Sequence, residues 1–197
     1  FQGHELPNML MWAAVSGIVC GVAGGLFGSF LYRGAAAFAP VRWRSFIRRH
    51  LLVVAFVMGI LLALLGTFYQ GKTYGTGYHE AAAALKGAYE APFGLAAAKW
   101  AATVFSYWAG IPGGIFTPSL TIGAMIGEHM ASFAQLGDAS NVAVLLCMAA
   151  FLAAATQSPL TAAVVVMEMT GGQNLLFWML LTCIFASQVS RQFSPHP

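Results

Sequence analysis

Residues 110–127, GIPGGIFTPSLTIGAMIG, are the stretch of this chain whose residue types and spacing could do chemistry, and that chemistry belongs to the backbone. Gly113 and Gly114 form a bend flanked by Pro112 and Pro118, and a helix of small residues follows with no charge before Glu128. A helix start leaves four N–H groups without intrahelical partners and carries roughly half a positive charge. Delivered to membrane depth inside protein, such an end is a seat for an anion. The structural alternative is a tight turn between two packed helices with no ligand at all.

Other candidates are weaker. Glu168 is an acid near the end of an apolar helix, and acids at membrane depth are functional suspects. Its place beside Thr170 and Gly172, where it can reach water or neighbouring backbone, favours a structural role. Glu128 and His129 could suggest a metal or pH sensor, but adjacent residues do not share a helix face, so a helix-end role is expected. His79 and Glu80 fit a helix start with an acid in its first turn. Lys99, inside an apolar helix, either snorkels to the interface or faces a watery vestibule where it attracts anions; both readings stand. Cys20, Cys147 and Cys183 lie in apolar helical sequence without metal-ligand spacing and are expected to be buried free thiols. No nucleophile–base pair and no metal-ligating cluster is evident, so neither an enzyme nor a resident metal or cofactor is expected.

The elements that must position the glycine bend follow from composition. Of the 197 residues 59% are hydrophobic and 8% charged, against about 25% charged in soluble domains. Glycine (22) and proline (8) repeatedly interrupt the apolar runs. Broken backbone is tolerated at membrane depth only where protein or a water-filled cavity surrounds it. An all-α polytopic membrane bundle with short and interrupted helices is therefore expected. The hydrophobic pattern predicts helices over about 9–38, 50–69, 80–88, 93–108, from the bend to 133, 141–154, then after a break at 157–159 to 170, and 175–190. Gly21, Gly24, Gly25 and Gly28 in the first helix permit close helix packing. Arg42, Arg44, Arg48 and Arg49 mark a cytoplasmic loop, which puts the Gly-rich loop at 71–78 on the outer side. The net charge of +3 is too small and too local to suggest nucleic acid. The polar start, FQGHELPN, resembles an excised loop or tag remnant, so the chain is expected to be a fragment.

The residues GGIFTP at 113–118 resemble the GxFxP motif of the CLC chloride channels and chloride/proton exchangers. The preceding SYWAGIPGG, the following SLTIGAMIG, and SPLTAAVVVMEMTG at 158–171 are similar to the same family over nearly the whole length. The resemblance implies that residues 1–197 are the second of the family's two inverted halves, helices J to Q, with the N-terminal half and final helix outside the chain. The family's gating and proton glutamates would lie outside it too. Carried over by motif position, the amides of Ile115 and Phe116 would line a central chloride site, and those of Phe116 and Thr117 an outer one. Gly113 and Gly114 would let the backbone approach the ion, Pro118 would sit harmlessly in the first turn, and Phe116 would join an apolar constriction. Chloride is then the transported ligand and the lipid bilayer the surroundings, in a multi-pass protein of the inner or plasma membrane. A homodimer is implied, with Leu176 at its interface. A non-transporting membrane scaffold that keeps the fold is the alternative.

Overall fold

A computed structural model describes residues 8–38, 47, 49–87, 92, 94–110 and 113–193. Arg42, Arg44, Arg48, Pro112 and the predicted start of the fourth helix at 93 lie outside the described residues. Among the described residues eight α-helices run α1 Met9–Phe38, α2 Leu51–Phe68, α3 Tyr78–Leu85, α4 Leu95–Trp108, α5 Phe116–Phe133, α6 Ser140–Thr156, α7 Pro159–Thr170 and α8 Leu176–Ser190, with no strand. The all-α expectation holds, and most helix ends fall within two residues of their predicted places.

The differences are local and have backbone causes. α1 is interrupted at Gly34, whose φ of 66° and ψ of 170° leave the helical region, so the apolar span is Met9–Gly34. α3 stops at Leu85 rather than running to 88, because Gly87 has a φ of 65° that cannot continue a helix. α6 continues to Thr156 and ends where Gln157 turns left-handed at φ 57°; Pro159 then opens α7.

α6 is the centre of the bundle. Every residue from Val142 to Ala154 is buried, and α1, α5, α7 and α8 pack around it. Lipid is as apolar as leucine, so what holds such a bundle together is close packing. The α5–α6 crossing depends on Gly123 and Gly127. A Cβ at Gly127 would stand 2.6 Å from Val144 Cα and 2.9 Å from the Ala143 carbonyl. The α1 glycines do as expected: a Cβ at Gly24 would meet Ala154 Cβ at 2.6 Å, and one at Gly21 would meet Val189 Cβ at 2.8 Å on α8. An aromatic layer beside this seam joins α1 to α4 and α6, with Phe27 and Phe30 against Trp100, Trp108 and Phe151. The Trp100 and Trp108 indoles donate to the carbonyls of Ala23 and Phe30 at 3.2 and 2.9 Å.

Among the described residues, three helices are long and apolar enough to cross a membrane: Met9–Gly34, Leu51–Phe68 and Gln173–Ser190. α2 buries only Val54 and Gly66, and its Leu52, Phe56 and Phe68 are exposed. That surface suits a hydrocarbon surround or further apolar protein. Cys20, Cys147 and Cys183 are free and buried, as expected.

Candidate anion site

The glycine bend does deliver a helix start. α4 ends at Trp108, Gly110 takes a φ of 78°, and after Gly113 and Gly114 the cap residue Ile115 admits α5 at Phe116. The first helical hydrogen bond is Ser119 N–H to the Ile115 carbonyl at 3.0 Å, and the Ser119 hydroxyl donates to the same oxygen at 2.6 Å. The amides of Ile115, Phe116 and Thr117 donate to no described residue, and no side chain caps them. Pro118, third in the helix, has no N–H to lose. Among the described residues, the arrangement is a cluster of donors without an acceptor at the positive end of an 18-residue helix.

A cavity of 460 Å³ opens in front of this start. Gly113, Gly114, Ile115 and Pro118 form one wall, so four of the six predicted site residues share it; Phe116 and Thr117 are not among its lining residues. Phe116 is 38% exposed, and Thr117 is half-buried with its carbonyl accepting from the Thr121 hydroxyl at 3.0 Å. A Cβ at Gly113 or Gly114 would meet nothing within 4 Å. The two glycines therefore keep open space open, and neither is demanded by a contact among the described residues.

Another part of the wall is one that sequence reasoning missed. It is the loop at residues 73–75, with Ser106 and Tyr107 of α4 beside it. The loop is tied down on both sides. The Thr121 hydroxyl of α5 donates to the Thr76 carbonyl at 3.0 Å. From α4, Lys99 Nζ donates to the carbonyls of Thr73, Tyr74 and Gly75 at 2.9, 3.1 and 2.8 Å. Gly66 of α2 leaves room for the Tyr74 ring. The readable signal was a Gly-rich polar run inside an apolar chain, which suggested an outer loop and nothing more.

Lys99 corrects both of its expectations. It is 1% exposed, so it does not snorkel, and it is absent from the cavity wall, so it does not face a vestibule. Its three N–H groups have three carbonyls instead, which removes the penalty of a bare buried ammonium. Glu128 and His129 lie in the last two turns of α5, near its end as expected. His129 Nδ1 lies 3.5 Å from Glu128 Oε2 and 2.7 Å from the Met125 carbonyl. No group of three or more metal-ligating side chains occurs among the described residues. Glu168 is exposed, and Glu80 stands in the first turn of α3 as predicted.

A helical bundle with membrane-spanning segments and a broken element that offers a helix start to an internal cavity defines a class, the polytopic transport-fold membrane proteins. The comparisons narrow it. The sequence profile described as voltage gated chloride channel matches residues 2–191, so the chain belongs to that family, the CLC family. The H(+)/Cl(-) exchange transporter ClcA of Yersinia pestis bv. Antiqua (strain Angola) is 28% identical over 98% of this chain and 41% of its own length. The voltage-gated ClC-type chloride channel ClcB of Yersinia pseudotuberculosis is 39% identical over 49% of this chain and 25% of its own. An uncharacterized Haemophilus influenzae protein is 63% identical over 54 residues, 27% of this chain and 55% of that protein. A crystal structure of a CLC-type fluoride/proton antiporter superposes with a TM-score of 0.81 at 24% identity, covering 100% of this chain and 48% of that one, which shows a shared fold. The chain thus spans roughly half or less of each relative it matches.

Proposed function

We propose that residues 1–197 are the C-terminal half of a CLC-type membrane domain and contribute the helix-start face of a chloride pathway. One observation carries this: the amides of Ile115, Phe116 and Thr117, which have no acceptor among the described residues, begin α5 at the edge of a 460 Å³ cavity whose wall includes Gly113, Gly114, Ile115 and Pro118. Backbone dipoles suit a transported ion. They hold an anion without the deep trap of a buried ammonium, so binding is strong enough to admit the ion and weak enough to release it. The amides of Ile115 and Phe116 serve an inner position and those of Phe116 and Thr117 an outer one, with the Phe116 ring as an apolar flank. The relatives include an exchanger and a channel by name, and both activities use an anion pathway. The whole protein acts as a homodimer in the inner or plasma membrane.

The test is chloride efflux from liposomes carrying the whole protein, with proton movement recorded in the same vesicles. Chloride flux supports the reading, and accompanying proton flux marks exchange while its absence marks a channel. No flux under any pH gradient or voltage would favour a scaffold that has kept the fold and lost conduction.

A further inference from the structure

Resting on the anion-site reading above, the geometry points to Lys99 as a positioning residue of that site: its ammonium gathers the carbonyls of residues 73–75 away from the cavity, so that this part of the wall presents no cluster of negative dipole ends to an anion. Three observations combine. Residues 73–75 line the cavity, whereas Lys99 does not. Lys99 is buried at 1% exposure, and the three successive carbonyl oxygens lie 2.8–3.1 Å from its Nζ. Oxygens that point at an atom outside the cavity do not point into it. An ammonium has three N–H donors, and here each one has its carbonyl, so the cluster is satisfied without water or a carboxylate.

Two effects on the site follow. Mechanically, three consecutive peptides are held in one orientation, and with them the part of the cavity wall that they form. Electrostatically, a full positive charge stands one layer behind that wall, in surroundings of low dielectric where its field is weakly screened. The ion never touches it, so the charge raises the local preference for anions without becoming a trap. Glu80, in the first turn of α3 and five residues beyond the clasped loop, carries the opposite charge and offsets part of that field.

Chloride binding to the purified whole protein, by calorimetry, decides the point when read beside the anion/cation permeability ratio in liposomes. Lys99→Met keeps the aliphatic stem and loses both the charge and the donors. Its chloride affinity should fall about tenfold, the scale of one unit charge acting across a helix diameter at an effective dielectric of about 20, and its anion selectivity should fall with it. Lys99→Arg restores donors and charge and should recover most of both. Glu80→Gln leaves every Lys99 bond in place and removes only the opposing charge, so it should tighten chloride binding about two- to threefold at an unchanged melting temperature. A purely structural lysine predicts a lower melting temperature for Lys99→Met, unchanged affinity in the molecules that remain folded, and no effect of Glu80→Gln; that pattern overturns the inference. Should Lys99→Met fail to fold, Glu80→Gln decides alone, since tighter binding supports the proposal and unchanged or weaker binding refutes it. Absence of chloride binding by the wild-type protein would remove the anion site itself and this inference with it.

Discussion

Gly127 and Gly113 are chemically the same residue with opposite tolerances, and the contrast separates packing from function at the scale of one hydrogen atom. A methyl group at Gly127 would press on backbone of α6, at 2.6 Å from Val144 Cα, and backbone cannot rotate aside. Overpacking of this kind costs about 1–3 kcal/mol, so Gly127→Ala should visibly lower the melting temperature in detergent. Gly113→Ala meets nothing within 4 Å and has no left-handed φ to strain, so it should melt like the wild type. Equal melting temperatures for the two variants would contradict the account of the α5–α6 crossing. Both glycines stood out in the sequence as small residues in an apolar run, but their difference did not, because it depends on which backbone lies opposite. Lys99 was illegible for the same reason. Its type and apolar neighbours allowed two solvent-seeking roles, and the carbonyls that satisfy it come from residues 24 to 26 positions earlier.

At the scale of elements, the chain's breaks matter as much as its helices. The α6–α7 break is locked to the end of α8: Gln157 Nε2 donates to the Ala154 carbonyl at 2.9 Å and to Ser190 Oγ at 2.8 Å, and Ser190 Oγ donates to the same carbonyl at 2.8 Å. Removing the Gln157 amide deletes two partly buried hydrogen bonds that tie the break to α8, at a cost of about 1–3 kcal/mol. Gln157→Ala should therefore lower stability and speed hydrogen exchange at the C-terminal end of α8; an unaltered exchange pattern there would show that the lock is idle. Helix positions were legible because Gly, Pro and the apolar period mark them locally. The cavity was half legible. Its α5 wall is one contiguous motif, whereas its loop wall is assembled from α4 and α5 contacts that no local pattern announces.

For the whole molecule, family membership and fold rest on nearly the full length of the chain, while the proposed pathway and the proposed dimer concern more of the protein than these residues. Leu176 is half-buried and packs partly against its own core, whereas Phe177 beside it and Leu160 on α7 are each 66% exposed. The proposed dimer therefore draws its outermost contacts from Phe177 and Leu160, with Leu176 beneath them. Leu176→Trp should weaken association on cross-linking, and Phe177→Ala should do so with less disturbance of the protomer. If both leave the oligomer intact, this face meets lipid instead.

The central claim is that backbone amides at the start of α5, and not a side chain, hold the anion. Chloride binding by calorimetry to the whole protein and to its Gly114→Val and Thr117→Val variants tests it most directly. Gly114→Val puts a branched side chain at the cavity edge where an ion must approach the amides, so binding should be abolished or severely weakened. Thr117→Val keeps its amide and loses only a hydroxyl, so binding should stay close to that of the wild type. Chloride binding that survives Gly114→Val and disappears with Thr117→Val would mean that the hydroxyl holds the ion, and would contradict the account.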